Sequence, residues 1–188
     1  PDRATALRAW GFPADARVVL VYGGSQGSAA INAVVRDWIA LLPPTVHVIW
    51  GTGKRNHTDF ASLESDRVRV RAYLAPITDA YAAADVAVTR AGTMTVAELL
   101  AWRIPAILVP LPTAADDHQT VNAMALERTG AAIHLAQGRF TRATLKAAVD
   151  GLLGDPARLA ALQAAAAARA RPHAAAEIAH RIVALLPS

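Results

Sequence analysis

TRAGTMTVAELLA, residues Thr89–Ala101, is the stretch around which the chain is organised. It follows the apolar run Val86-Ala87-Val88, turns at Gly92 and then takes on a helical pattern. Thr95 and Glu98 stand at T-x-x-E spacing, which predicts a capping box at the helix start. A strand, a small-residue turn and an exposed helix N-terminus together make an anion site. Free backbone N–H groups and the helix dipole point the same way there. The expected occupant is a phosphate group of a ligand.

The same alternation repeats on both sides of this unit. Apolar runs at Arg17–Tyr22, Val46–Trp50, Val68–Ala72, Val86–Thr89, Ile104–Pro110 and Ala132–Leu135 predict six strands. RVVLVY at Arg17–Tyr22 is apolar on both faces, as in a buried parallel sheet. Between Ser28 and Leu42 the apolar residues Ile31, Val34, Val35, Trp38, Ile39 and Leu42 fall at helical spacing. Further helices are predicted over Asp2–Trp10, about Asn56–Glu64, Thr78–Ala83, from about Asp116 to Arg128, Thr141–Leu153, Pro156–Ala170 and His173–Leu186. Asp116 and Gln119, at D-x-x-Q spacing, predict a second capping box. The Ala-rich tract Ala164–Ala170 reads as helix, since Ala is the best helix former.

Strands alternating with helices predict an α/β fold, a doubly wound parallel sheet of Rossmann-like type with helices on both faces. Such sheets bind ligands beyond the carboxyl ends of their strands. The candidate loops are therefore Gly23–Ser28, Tyr73–Pro76, Arg90–Thr95 and Leu111–Gln119.

Bulk composition narrows the function classes. The 188 residues are 54% apolar and 18% charged, enough for one ordered domain over residues 1–188. With no cysteine, disulfides and thiolate metal sites are excluded, and a cytosolic setting fits. No apolar run approaches the ~20 residues of a membrane helix. A net charge of +4 and pI near 10.1 suit an anionic ligand or an anionic membrane surface. Scattered arginines with only 5% aromatics point away from nucleic acid.

Gly23-Gly24-Ser25-Gln26-Gly27-Ser28 is a glycine-rich strand-to-helix turn. Either it lets a ligand approach the backbone, or the turn needs glycine for its own geometry. Its GGxxG spacing and the absence of an acid after Trp50 argue against a dinucleotide fingerprint, and no Lys-Ser/Thr pair supports a phosphate-binding P-loop. Glu98, one turn into its helix, has two readings: a cap for its own helix, or an acceptor for ribose hydroxyls. His118 and Gln119 are suited either to sugar hydroxyls or to a surface cap. Asp116-Asp117 lacks a third ligand, so no metal site is expected. No nucleophile-elbow or zinc-protease motif occurs.

Taken in order, Gly23–Ser28, Arg90–Glu98 and Asp117-His118-Gln119-Thr120-Val121-Asn122-Ala123 strongly resemble the donor-binding C-terminal domain of the MurG family. These are bacterial N-acetylglucosaminyltransferases of glycosyltransferase family 28, with the GT-B architecture of two Rossmann-like domains. The resemblance runs from about Arg17 to the last helix. It implies that UDP-N-acetylglucosamine is the donor. Ser25, with Gly24 and Gln26 in its turn, would lie against the diphosphate, and Leu74 would offer backbone contacts to uracil. Thr93, Met94 and Thr95, after Gly92, would give N–H groups to the phosphates, and Glu98 would hold the ribose. His118 and Gln119 would read the sugar, with Asn122 one turn further on. Some family members have Gln where this chain has His118.

The resemblance further implies inverting transfer of N-acetylglucosamine to lipid I, giving lipid II in peptidoglycan synthesis, without cofactor or catalytic metal. The acceptor site and the base are expected in an N-terminal domain that nothing in this sequence matches, so no catalytic residue is expected here. The isolated domain is expected to be inactive alone. The full-length enzyme is expected to lie peripherally on the cytoplasmic face of the inner membrane. Two alternatives remain: the donor domain of another GT-B enzyme, such as a diacylglycerol galactosyltransferase or a two-subunit transferase, and a non-catalytic nucleotide-binding module.

Overall fold

The computed structural model describes residues 1–185. In chain order the elements are α1 (Arg3–Trp10), β1 (Arg17–Tyr22), α2 (Ala29–Ile39), β2 (Val46–Gly51), α3 (His57–Phe60), β3 (Val68–Arg71), α4 (Ile77–Ala83), β4 (Val86–Thr89), α5 (Thr93–Ala101), β5 (Ala106–Leu108), α6 (His118–Arg128), β6 (Ala132–His134), α7 (Arg142–Leu153), α8 (Pro156–Arg169) and α9 (Ala174–Ala184). The six strands form one sheet in the order β3-β2-β1-β4-β5-β6, with every neighbouring pair parallel. This is the doubly wound arrangement expected from the alternation of elements.

The sheet is buried on both faces, as its apolar strands require. Leu20, Ile49, Ala87 and Leu108 face one core with α1, α4, α5 and α6 residues. Val21, Val48, Val88 and Ile107 face the other, with Val35 and Trp38 of α2 and Leu145 and Val149 of α7. Fully burying a Leu or Val side chain contributes roughly 1.5–3 kcal/mol. A buried polar chain in the second core is satisfied: Trp50 Nε1 donates to Asn32 Oδ1 at 3.0 Å, and Asn32 Nδ2 donates to Thr52 O at 2.8 Å.

Several boundaries differ from the sequence reading. The Asn56–Glu64 helix is broken into the single turn α3 and a 3₁₀ turn, Ala61–Leu63. The strand expected over Ile104–Pro110 shrinks to Ala106–Leu108, because the prolines at 105 and 110 bring no backbone donor to the ladder. The last residue of the predicted His173–Leu186 helix lies outside the described residues, and α9 ends at Ala184. Among the described residues no helix is long and apolar enough to cross a membrane.

Both predicted capping boxes are corrected. α5 starts at Thr93 with Gly92 as its N-cap and no side-chain cap bond, so Thr95 is its third residue and cannot cap it. α6 starts at His118 with Asp117 as its N-cap, again without a side-chain bond. Asp116 and Asp117 both adopt left-handed backbone, at φ 49° and 51°, whereas an N-cap ordinarily has extended backbone. A capping box does occur at α7, where Thr141 and Thr144 exchange bonds.

Candidate functional site

The switch point of the sheet lies between β1 and β4, whose last residues, Tyr22 and Thr89, are register partners. Chains leaving these two strands diverge to opposite faces, and a cleft of about 310 Å³ opens between them. Gly24, Ser25, Leu74, Met94, Thr95 and Glu98 line it, with Tyr22, Gly51 and Gly53 beneath. A second cavity of about 510 Å³ shares Gly24 and Thr95 with the first and adds Gly92, Arg90, Ser28, Gln119 and Gln137. The four candidate loops thus meet at two adjoining cavities, joined by Gly53 after β2 and Gln137 after β6.

The glycine-rich turn combines both of its readings. A Cβ on Gly27, at φ 78°, would collide with Thr52 O, and one on Gly53, at φ 85°, with Gln26 O. These two turns pack backbone to backbone, which is a structural demand. Gly24, at φ 89°, meets nothing within 4 Å and faces open space at the cleft. Ser28 ends the turn and caps α2, its Oγ accepting from Ile31 N at 3.3 Å.

At α5 the first intrahelical bond runs from Val96 N–H to Gly92 O at 2.9 Å. The N–H groups of Thr93, Met94 and Thr95 precede that ladder, and no side chain caps them. They are available to an anion, and the helix dipole adds partial positive charge. A Cβ on Gly92 would also meet nothing within 4 Å, which leaves room above the helix start.

Glu98 is free of any capping duty. Its Oε2 accepts from Tyr81 Oη at 2.8 Å. The Tyr81 hydroxyl stands 3.0 Å from that of Tyr22. Desolvation pushes the Tyr22 phenol up to about 12, and it raises the Tyr81 phenol as well.

Gln119 and Asn122 clamp the turn that feeds α5. Gln119 Oε1 accepts from Ala91 N at 3.3 Å and from Leu111 N at 3.0 Å, while Asn122 Nδ2 donates to Ala91 O at 3.0 Å. The two backbone donors fix the amide of Gln119, so its free end toward the second cavity is the donating NH₂. His118 is exposed, and its Nδ1 donates to Ala115 O at 2.8 Å. His118, Asn122, Thr93 and Gln26 are not among the residues lining either cavity, whereas the other sequence candidates are.

Sequence reading missed Tyr22, Tyr81 and the role of Arg90. Arg90 is 8% exposed, and its guanidinium donates to Val109 O, Pro110 O, Ser28 Oγ and Gln137 Oε1 at 2.7–3.0 Å. All four acceptors are neutral, and among the described residues the buried charge has no carboxylate partner. Burial lowers its affinity for the proton relative to a free arginine. A ligand phosphate in the adjoining cavity would supply the missing counter-charge. Among the described residues no group of three or more His, Cys, Asp or Glu side chains could hold a metal ion.

Residues 18–182 match the family model of the glycosyltransferase family 28 C-terminal domain. A protein of Salinibacter ruber named UDP-N-acetylglucosamine–N-acetylmuramyl-(pentapeptide) pyrophosphoryl-undecaprenol N-acetylglucosamine transferase is 46% identical, over 98% of this chain and 50% of its own length. A protein of the same name from Mycobacterium avium is 42% identical, over 94% of this chain and 44% of its own. A crystal structure of Acinetobacter baumannii MurG superposes with a TM-score of 0.81 at 26% identity, covering 96% of this chain and 53% of that one. The chain spans about half the length of the curated relatives it matches.

Proposed function

The chain belongs to the glycosyltransferase family 28 C-terminal domains, and from that premise we propose that it is the donor-binding half of an inverting N-acetylglucosaminyltransferase. It holds UDP-N-acetylglucosamine while the sugar passes to lipid I, giving lipid II. The observation that carries this reading is the meeting, in one cleft, of an uncapped helix N-terminus and a carboxylate that caps nothing and keeps Oε1 open. The diphosphate sits over the N–H groups of Thr93, Met94 and Thr95 and against Ser25. The ribose hydroxyls reach Glu98 one turn further along the same helix, and uracil lies beside Leu74. The N-acetylglucosamine extends toward the free NH₂ of Gln119. His118 and Asn122 act on this region through the Asp117 loop and the Ala91 turn.

Chemistry follows from where charge develops. As the anomeric carbon–oxygen bond breaks, electrons move onto the β-phosphate. Backbone donors and the α5 dipole already point at that oxygen, so stabilisation needs no rearrangement at the moment of reaction. The buried Arg90 charge, in the cavity that Gly92 and Thr95 also line, adds to the same field. The acceptor hydroxyl, the base that removes its proton, and contact with an anionic membrane surface belong to the part of the enzyme that this chain does not match. The chain alone binds donor and does not transfer it, because proximity of the two reactants is missing. In the cell the whole enzyme works peripherally, at the cytoplasmic face of the inner membrane where its lipid acceptor resides.

Calorimetric titration tests the reading directly. UDP-N-acetylglucosamine is expected to bind saturably and GDP-mannose not to. Equal binding of the two, or binding of neither, contradicts the proposal.

A further inference from the structure

Two buried phenols stand behind the cleft, and the donor reading gives them no part. Tyr22 closes β1 and is 6% exposed, and Tyr81 lies on α4 and is 2% exposed. Their hydroxyls are 3.0 Å apart, and that of Tyr81 is 2.8 Å from Glu98 Oε2. An ionised carboxylate only accepts, so Tyr81 gives its single proton to Glu98. Tyr22 must then donate to the Tyr81 oxygen. The order of the chain is therefore fixed: Tyr22 to Tyr81 to Glu98. Charge-assisted bonds of this kind are about twice as strong as neutral ones, and low local dielectric strengthens them. Burial keeps both phenols protonated, and hence donors, over the whole neutral range.

Glu98 Oε2 is thus held from behind. Glu98 Oε1 accepts no hydrogen bond among the described residues. We infer that Tyr22 and Tyr81 form a positioning relay that fixes the Glu98 carboxylate and leaves Oε1 for the ribose, so that the pair sets the preference for ribose over 2′-deoxyribose. The inference rests on the reading of Glu98 as the ribose-binding residue. Without the relay the carboxylate gains rotamers, and a hydroxyl must order it at the moment of binding. Tyr81 acts through Glu98, and Tyr22, at the floor of the cleft, acts through Tyr81.

The test is titration with UDP and with 2′-deoxy-UDP, with thermal unfolding followed alongside. The unaltered chain is expected to favour UDP. Tyr81→Phe removes one oxygen and keeps the ring. It is expected to cut that preference about tenfold, with affinity for 2′-deoxy-UDP changing less than about twofold. Tyr22→Phe, one link further back, is expected to cut the preference about threefold, and it carries the test if Tyr81→Phe fails to fold. A merely structural role would weaken both nucleotides alike. An unchanged preference, or equal weakening, overturns the relay. Glu98→Ala separates the two layers. If it abolishes the preference while Tyr81→Phe keeps it, the relay alone falls. If Glu98→Ala itself keeps the preference, or the unaltered chain has none, the ribose reading falls.

Discussion

The four-residue strand β4 has a buried acid at one end and a buried base at the other, and the two are handled in opposite ways. Asp85, just before the strand and 9% exposed, receives Arg3 at 2.8 Å, Arg17 at 3.4 Å and the Val18 N–H at 2.7 Å. Its charge is answered within the chain. Arg90, just after the strand, meets only neutral oxygens. A buried charge without a counter-charge is costly unless something else supplies one. The amino end of the sheet is therefore neutralised within the chain, and the carboxyl end carries a buried charge that the proposed donor phosphate would answer.

The contrast is sharpened most by removing each charge in turn. Asp85→Ala leaves two guanidinium groups and a backbone donor facing each other. It is expected to lower unfolding free energy by about 3 kcal/mol, read by urea titration, with UDP affinity of the folded protein unchanged within about twofold. Arg90→Gln is expected to act the other way round. UDP affinity should fall about thirtyfold while uridine affinity falls less than about threefold, since the charge acts on phosphate. Equal loss of both ligands would break the comparison and reduce Arg90 to scaffold. Next in size, Glu98→Ala is expected to weaken UDP about tenfold and to lower stability by about 1–3 kcal/mol, through the bond lost from the buried Tyr81 hydroxyl and not through a lost cap. Smallest is a pair of threonines at two helix starts. Thr141→Ala should cost about 1 kcal/mol through its lost cap, and Thr95→Ala less than about 0.5 kcal/mol, both measured by denaturant unfolding.

The fold was legible because each strand carries its own evidence. Val18–Tyr22 and Val46–Trp50 are apolar on both faces, and only a sheet covered on both sides buries such runs. The site loops followed from the sheet, since their place at the carboxyl ends is a rule of topology. Helix caps were misread by three residues at α5 and by one at α6. T-x-x-E and D-x-x-Q are local patterns, whereas the start of α5 is set by the Ala91 turn, which Gln119 and Asn122 hold from 28 and 31 residues away. Moving the start to Thr93 frees Glu98 from the capping duty that one of its two readings gave it and leaves the N–H groups of Thr93, Met94 and Thr95 without a side-chain cap. The Tyr22–Tyr81 contact spans 59 residues and the Arg90–Ser28 contact 62. No spacing in the sequence announces such pairs. Only the packing of α4 and α2 against the same sheet brings them together.

The central claim is that the carboxyl end of the sheet binds a uridine diphosphate sugar through the start of α5. Amide chemical-shift mapping during titration with UDP-N-acetylglucosamine tests it most directly. Saturable shifts are predicted at Gly24, Ser25, Leu74, Thr93, Met94, Thr95 and Glu98, with Val18 and Asp85 at the opposite end unmoved. Shifts centred on Val18 and Asp85, or no saturable shift at the α5 start, would contradict it.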